Sequence, residues 1–452
     1  MEMTTRRGFI GGMTAAVALA EWKAWAAAEG LPEYYAGHLA AVTEKVRTLA
    51  RECGDGFWFV TDPHVKSNHC KSGRIIAELI RRTGLRRVLC GGDLPEAFGD
   101  KYPLDKAAVD FAIDRFREHW VTPIRAAGGR LYSAKGNHDF TVRHSPAKED
   151  ATRGYTYSGA AARGFIVGEW TEKDIVTNPD DPVACYYYVD NPETRLRYVV
   201  ADTTDSETSG DVAWGVRYGV HDVQLKWLEE KAFGTLPAGY DAVVMHHIPV
   251  TGVVGSEKDR QLFTNLRELL ERFGDRILLD LTGHEHAERQ TFQNGILHVT
   301  EPCDAAYGDY INGSAPWCGP LPRKAGGTIY EQTLDAVQID RKRGLVHFTR
   351  VGGGQDRTIH LAATTVKVGD RLPFRATLVQ DGVTFACYDG DGIQFKPNPN
   401  NRYNPFVEYK NEFATITSDG LLTAIRPGPV MVLARDGKLN KEIFPVTVVP
   451  GE

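Results

Sequence analysis

The chain has 452 residues, of which 42% are hydrophobic and 25% are charged, a composition typical of a globular protein. A chain of this length is expected to form two or three domains and can bury a large core without disulfide bonds. The formal net charge of -6 argues against a general nucleic-acid-binding protein, because binding to the phosphate backbone needs a positive face. It does not exclude a small phosphate ester as substrate, since bound metal ions supply positive charge locally.

The 7 cysteines are odd in number and include no C-x-x-C pair, which argues against a disulfide framework and against a structural zinc site. Two interpretations of Cys303 and Cys318 stay open. They flank a glycine-containing loop and could form a disulfide, or they could be buried apolar thiols like most of the others.

The first 28 residues have the organisation of an export signal. Arg6 and Arg7 precede a mostly small and apolar run over 8–20, and alanines 26–28 offer a cleavage site. The run is too short to span a bilayer, which needs about 20 residues. The segment resembles the twin-arginine export signal, in which a large apolar residue, here Phe9, follows the arginine pair one position later. The alternative is a disordered basic tail.

The resemblance implies a periplasmic or extracellular protein. No other segment has 18 consecutive apolar residues, so we expect no integral membrane segment after removal of the signal.

Helical and strand patterns alternate through the next part of the chain. Residues 29–54 form a lead-in with a helical apolar rhythm over 31–50. Strands are predicted at 57–60, 87–90 and 131–133, with helices around 75–80 and over about 105–127. This alternation predicts a layered α/β core.

Further strands follow in the second half of this core. The runs 186–190 and 195–201 flank an Asn191-Pro192 turn, which predicts an antiparallel hairpin. Short apolar strands are predicted at 242–245, 277–281 and 296–299. Together these elements predict a mixed sheet sandwich with flanking helices.

Five short polar segments contain the residue types that bind metals, and four of them follow predicted strands. The segments are Asp62-Pro63-His64, Gly91-Gly92-Asp93, Gly136-Asn137-His138-Asp139, His246-His247 and Gly283-His284-Glu285-His286. Loops at the carboxyl edge of a sheet can converge on one pocket even when they are far apart in sequence. Carboxylate, imidazole and amide donors suit divalent manganese, iron or zinc.

These segments resemble the motifs of the calcineurin-like metallophosphoesterase family, over roughly residues 55–355. The resemblance implies a layered α-β-β-α sandwich, placed at residues 55–358, that contains a dinuclear metal centre. It implies one bridging carboxylate and three further ligands for each metal: Asp93 as the bridge, Asp62, His64 and His286 for the first metal, and Asn137, His246 and His284 for the second.

The resemblance also places His138 above the metals as proton donor to the leaving oxygen, and the alternative is a supporting role. A hydroxide bound by two metals would attack phosphorus in line. Glu96 stands three residues after Asp93, where relatives have an aspartate or an iron-binding tyrosine. This departure argues against the purple acid phosphatase subgroup, and our hypothesis is that Glu96 orients His138.

The adjacent histidines His246 and His247 cannot both face the metals, because neighbouring residues in a strand point to opposite faces. Resemblance to the family's His-His-Pro loop favours His246. The choice stays open because Ile248 stands before Pro249 in this chain.

Residues 362–450 contain short alternating strands typical of an all-β sandwich. Val366-Lys367-Val368-Gly369-Asp370 and the stretch 413–428 resemble a bacterial group 2 Ig-like domain. The resemblance implies cell-surface or carbohydrate contact. The alternative is a stabilising appendage without a ligand.

The sequence therefore predicts an exported phosphoesterase that acts on a small phosphomonoester or phosphodiester. Two other functions stay open. One is a cell-surface binding protein with a vestigial metal site, and the other is a hydrolase of a pyrophosphate or sugar nucleotide.

Overall fold

The computed structural model describes residues 31–65, 71–95, 105–139, 141–142, 148–150, 154–205, 212–213, 216–217, 219–251, 263–286, 288–304, 325–378, 381–390, 393–396 and 406–451. The predicted export signal at 1–28 lies outside these residues, as do Glu96 and Cys318. Among the described residues, no helix is both long enough and apolar enough to cross a membrane.

Seven α-helices are described, and in chain order they are α1 (Ala36–Ala50), α2 (Ser72–Thr83), α3 (Lys106–Phe116), α4 (Thr122–Ala126), α5 (Gly159–Ile166), α6 (Asp222–Trp227) and α7 (Thr264–Arg272). A π-helical turn, Arg117–Val121, joins α3 to α4, so the predicted helix over 105–127 is confirmed as one nearly continuous segment. Two of these helices, α3 and α5, begin at a residue whose side chain caps the helix N-terminus. Asp105 accepts a hydrogen bond from the backbone N–H of Ala108 at 2.8 Å, and Ser158 accepts one from Ala161 at 3.3 Å.

The strands up to residue 360 are β1 (Asp55–Val60), β2 (Arg87–Cys90), β3 (Arg130–Ser133), β4 (Thr141–Val142), β5 (Lys148–Asp150), β6 (Gly154–Ser158), β7 (Val176–Thr177), β8 (Tyr187–Asn191), β9 (Leu196–Val200), β10 (Val212–Ala213), β11 (Val216–Arg217), β12 (Asp241–Met245), β13 (Ile277–Thr282), β14 (Arg289–Gln293), β15 (Ile296–Thr300), β16 (Thr333–Asp340), β17 (Leu345–Gly352) and β18 (Arg357–His360). Those after it are β19 (Thr364–Lys367), β20 (Arg371–Pro373), β21 (Thr384–Asp389), β22 (Ile393–Lys396), β23 (Phe406–Tyr409), β24 (Ala414–Ile416), β25 (Leu421–Ala424), β26 (Gly428–Arg435) and β27 (Lys441–Val449).

Two large sheets form the core. The first runs in the order β21-β26-β27-β18-β17-β16-β1-β2-β3, and β19 also pairs with β27. The second runs β14-β15-β13-β12-β9-β8-β7. The predicted hairpin is confirmed, since β8 and β9 pair antiparallel.

The side chains of β12 show how the layers pack. Val243 and Met245 belong to the hydrophobic cluster that also contains residues of the first sheet. Ala242 and Val244 belong to a second cluster, which contains the buried apolar side chains of α6 and α7. Because alternate residues of a strand face opposite sides, the second sheet lies between the first sheet and these helices. The mixed α/β fold with large sheets that the sequence predicted is confirmed.

The C-terminal region is rich in strands, as predicted, and has its own hydrophobic cluster around Val366, Leu422, Val432 and Val446. A small sheet in the order β20-β25-β24 also lies in this region. However, β27 pairs in parallel with β18 of the α/β region. The first sheet therefore continues without interruption from the α/β region into the C-terminal strands.

Buried charges reinforce this junction. The amino group of Lys441, on β27, lies 2.5 Å from the carboxylate of Glu288, and both side chains are fully buried. The same carboxylate lies 2.9 Å from the guanidinium of Arg350 and 3.4 Å from that of Arg357. Burial opposes ionisation of Glu288, but Arg357 and Lys441 outweigh it and hold the pKa of the carboxyl below its usual value. Glu288 is therefore an anion with partners on both sides of the junction.

Candidate metal centre

The polar segments picked out by the sequence follow the carboxyl ends of five strands. Strands β1, β2 and β3 are mutually parallel, and so are β12 and β13. The residues that follow these strands are Asp62 and His64 after β1, Asp93 after β2, Asn137 and His138 after β3, His246 and His247 after β12, and His284 and His286 after β13. Since parallel strands end at a common edge, the loops of each sheet meet at one rim.

The backbone of this rim is strained. Five of its non-glycine residues have positive φ: Asp62 (52°), His64 (39°), Asp93 (53°), His284 (66°) and His286 (53°). Each such conformation costs about 1–3 kcal/mol and persists only where the surroundings enforce it. The clustering of these residues at one place indicates a functional site.

Backbone hydrogen bonds between the loops enforce the strained conformations. The N–H of Asp62 donates to the carbonyl of Gly92 at 3.0 Å, and that of His64 to the carbonyl of Asp93 at 3.1 Å. The N–H of Gly283 donates to the carbonyl of His247 at 3.0 Å. The last bond joins the β12 and β13 loops of the second sheet, and the first two join the β1 and β2 loops of the first.

Glycines allow the loops to approach each other closely. A Cβ on Gly136 would lie 2.2 Å from Oδ1 of Asp93, and one on Gly283 would lie 1.9 Å from Oγ1 of Thr61 and 2.3 Å from Oδ2 of Asp62. These distances are far inside van der Waals contact, so neither position has room for a side chain.

One half of the site groups Asp62, His64, Asp93 and His286, whose ligand atoms all lie within 4.8 Å of one another. The Nε2 atoms of His64 and His286 are 3.2 Å apart. Oδ1 of Asp62 lies 3.1 Å from Nε2 of His286 and 3.6 Å from Nε2 of His64. Two imidazoles and two carboxylates thus converge on one point and could hold a metal ion.

The other half groups Asn137, His247 and His284. Oδ1 of Asn137 lies 3.1 Å from Nε2 of His247 and 2.9 Å from Nδ1 of His284. Nε2 of His247 also lies 3.1 Å from Oδ2 of Asp93. Asp93 therefore touches both halves, as a bridging carboxylate would.

His246, which the sequence favoured over His247, does not face this cluster. Its Nε2 lies 2.9 Å from Oδ1 of Asp280, and its Nδ1 lies 2.9 Å from the carbonyl oxygen of Ile248. The two histidines point to opposite sides of the extended chain, and the side that faces the metal loops belongs to His247. The preference for His246 does not fit this geometry. Asp280, an acid flanked by two leucines in β13, was the signal in the sequence that His246 had another partner.

His138 lies beside the first half of the site. Its backbone N–H donates to Oδ1 of Asp93 at 2.7 Å, and its ring meets the ring of His64 edge-on at 5.0 Å between centroids. Its side chain is 19% exposed, whereas that of His64 is 2% exposed. His138 is thus open to a molecule that approaches from solvent.

Two further polar contacts hold the loops of the site together. The carboxylate of the fully buried Asp139 accepts hydrogen bonds from the N–H of Leu94 at 2.7 Å and of Gly136 at 2.6 Å, and so joins the β2 loop to the β3 loop. The second is an ion pair between Lys135 and Asp202, 2.7 Å apart and almost fully buried. It ties the β3 loop to the β9 loop, and the sequence motifs gave no sign of it.

The buried side chain of Cys303 lies beside the site. It forms a group with His64 and His286 within the same 4.8 Å limit and donates a hydrogen bond to the carbonyl of Asp62 at 3.2 Å. Its suggested disulfide partner, Cys318, lies outside the described residues.

The charges in the site depend on one another. Burial opposes ionisation of Asp62 and Asp93, but nearby imidazoles, His247 first, outweigh it and hold both pKa values below the usual range. Burial disfavours a charged His247, yet Asp93 and Asp62 raise its pKa to about 9. Burial and His247 lower the pKa of His284 to about 3.

The donor set fits a pair of divalent cations. Buried carboxylates need compensating positive charge, and imidazole nitrogens this close together are natural ligands of one ion. The mixture of imidazole, carboxylate and amide oxygen is the one expected for manganese, iron or zinc.

Residues 56–288 match the family model of the calcineurin-like phosphoesterases. This match covers more than half of the chain, and the chain therefore belongs to the calcineurin-like phosphoesterase family. Among curated proteins, none is significantly similar to it in sequence.

Several solved structures resemble the chain. A dimetal phosphatase from Danio rerio is 15% identical, with a TM-score of 0.45, and the match covers 69% of this chain and 100% of that one. PhoD is 12% identical, with a TM-score of 0.41 and coverage of 81% and 70%. GAP50, described as the anchor in the inner membrane complex of Plasmodium, is 10% identical, with a TM-score of 0.35 and coverage of 66% and 84%.

Proposed function

We propose that the protein is a metal-dependent hydrolase of phosphomonoester or phosphodiester bonds. The observation that supports this most directly is the convergence of seven metal-ligating side chains from five loops on one rim of the sandwich: Asp62, His64, Asp93, Asn137, His247, His284 and His286. An intact donor set of this kind also argues against a vestigial site in a binding protein.

Asp62, His64 and His286 would hold one divalent ion, Asn137, His247 and His284 would hold the other, and Asp93 would be shared between them. Two such ions would activate a water molecule as nucleophile and neutralise charge on the phosphate oxygens.

The protein's own contribution to the reaction rests on His138. Its backbone is fixed by Asp93 at 2.7 Å, while its partly exposed ring lies next to the ligand His64. An imidazole titrates near neutral pH and can donate a proton to the leaving alkoxide oxygen. Glu96 as the group that orients His138 remains part of the proposal, although it lies outside the described residues.

The test uses para-nitrophenyl phosphate and bis-para-nitrophenyl phosphate with manganese-loaded protein. His138→Ala should lower kcat by about 10²–10⁴-fold, the usual contribution of a general acid, while the metal content stays at the wild-type value. His360→Gln, at the end of β18 in the α/β region, is the control and should change neither the kcat nor the metal content. Loss of metal from His138→Ala would make His138 a ligand or a support. Metal-saturated wild-type protein without activity on a broad ester panel would refute the hydrolase proposal.

Export by the twin-arginine route is a further part of the proposal, supported by Arg6, Arg7 and the apolar run that follows. Replacement of both arginines by lysine should keep the protein in the cytoplasm, which fractionation would detect. For the C-terminal region, pairing with the α/β sheet favours a stabilising role over a separate binding module.

A further inference from the structure

A second cluster of side chains that could hold a metal ion lies at the other end of β1, away from the dinuclear site. Cys53 stands between the end of α1 and the start of β1, Asp340 ends β16, and His347 lies within β17. One ligand atom from each of the three lies within 4.8 Å of the other two. The catalytic loops follow the carboxyl end of β1, whereas this cluster adjoins its amino end.

The backbone holds Asp340 and His347 on one face of the sheet and Cys53 at the end of the helix that covers this face. His347 pairs with Gln338 across β16 and β17, and Asp340 stands two residues after Gln338. The side chains of Gln338, Asp340 and His347 therefore share one face of the sheet. The side-chain amide of Gln338 donates to the carbonyl of Val46 in α1 at 3.0 Å, so α1 covers that face. The N–H of Cys53 donates to the carbonyl of Leu49 at 2.8 Å, which keeps the cysteine at the end of the same helix.

His347 has the environment of a ligand. It is only 6% exposed, and its Nδ1 lies 2.8 Å from the hydroxyl oxygen of Thr358. Its buried Nε2 has no hydrogen-bond partner among the described residues. An imidazole fixed through one nitrogen presents the other to a metal. Burial lowers the pKa of His347, which keeps the ring neutral and able to coordinate.

Asp340 supplies a carboxylate that is already ionised, since Arg343 overcomes the effect of burial and lowers its pKa. Oδ1 accepts a hydrogen bond from the N–H of Arg343 at 2.9 Å, and Oδ2 pairs with its guanidinium at 2.5 Å. The side chain of Arg343 is 42% exposed and also pairs with Glu52. It can therefore turn towards solvent and leave Oδ2 of Asp340 to a cation.

We propose that Cys53, Asp340 and His347 bind one zinc ion at a site separate from the dinuclear centre. The absence of a C-x-x-C pair does not argue against this site, because it uses a single cysteine. Thiolate, imidazole and carboxylate are all zinc ligands, and tetrahedral zinc takes four, so water fills the remaining position beside the partly exposed Cys53. The thiol releases its proton to solvent as the sulfur–zinc bond forms. The ion joins the end of α1 to β16 and β17.

Metal analysis of zinc-loaded protein after dialysis tests this site. Cys53→Ser and His347→Gln should each lose one zinc per chain relative to wild type. Cys387→Ser, which alters another half-buried free thiol, is the matched control and should lose none. Hydrolysis of para-nitrophenyl phosphate should be unchanged in Cys53→Ser. Equal zinc content in Cys53→Ser and Cys387→Ser would overturn the proposal.

Cobalt substitution separates this site from the catalytic one. The cobalt protein should show a near-ultraviolet thiolate-to-cobalt absorption that Cys53→Ser abolishes and Cys303→Ser keeps. An absorption lost only in Cys303→Ser would place the thiolate in the dinuclear centre and refute the separate site. If Cys53→Ser does not fold, alkylation of wild-type protein replaces it: zinc should slow the labelling of Cys53, and unchanged labelling would overturn the proposal.

Discussion

The two adjacent histidines after β12 should give opposite phenotypes when each is replaced by glutamine. His247 contacts Asp93 and Asn137 at 3.1 Å each. Loss of a group that only supports a ligand weakens metal affinity about 10–100-fold. Loss of His247 itself should therefore weaken metal affinity by more than about 100-fold.

His246 should matter for stability instead. Its partner Asp280 is fully buried and keeps a second contact, to Nδ1 of His298 at 2.7 Å. Removal of one partner from a buried ionic group costs about 3–5 kcal/mol. Because His298 remains and glutamine can donate one hydrogen bond, we expect about 3 kcal/mol for His246→Gln.

Metal titration with a fluorescent chelator and urea unfolding of the metal-free proteins measure the two effects separately. His247→Gln should bind metal weakly and unfold near the wild-type midpoint. His246→Gln should bind metal nearly as well as wild type and unfold at lower urea. The reverse pattern would show that His246 is the ligand and that the side-chain directions described above are wrong.

Three further predictions concern packing, the junction between the α/β region and the C-terminal strands, and the metals. Gly283→Ala should lower both metal content and thermal stability, because its Cβ would lie 1.9 Å from Thr61. The control is Gly164→Ala, where a Cβ would meet no atom within 4 Å in an exposed turn of α5. This variant should stabilise the protein by about 0.5–1 kcal/mol. Equal melting temperatures for the two variants would contradict the packing argument. Lys441→Met should cost about 3 kcal/mol in chemical unfolding, the lower end of the range for a broken buried ion pair, because Glu288 keeps Arg350 and Arg357. The exposed Lys438→Met should stay within about 0.5 kcal/mol. Removal of divalent metals with a chelator should lower the thermal midpoint, because ions that bind only the folded state stabilise it, and an unchanged midpoint would argue against a metal centre.

The sequence predicted those parts of the protein in which an apolar strand is followed directly by a short polar motif. The alternation of apolar runs located β1, β2 and β3, and the polar residues directly after them located the rim. Asp62, Asp93 and Asn137 could be recognised because each stands in a short motif next to a strand.

The remainder depends on contacts between segments that are distant in sequence. The direction of His246 is decided by Asp280, more than thirty residues later, and the Cys53 cluster is assembled from three segments with no shared motif. The positive φ of His284 and His286 could not be inferred either, because residues other than glycine rarely adopt it. The pairing of β18 with β27 joins strands that are separated by the whole C-terminal region.

That pairing has a consequence for any shortened version of the protein. A chain that stops after His360 would leave β18 as a bare outer strand, with its unbonded N–H and C=O groups open to another copy. Glu288 would lose Lys441 at the same time. A fragment cut at the apparent end of the α/β region should therefore self-associate through this edge, which β27 covers in the structure.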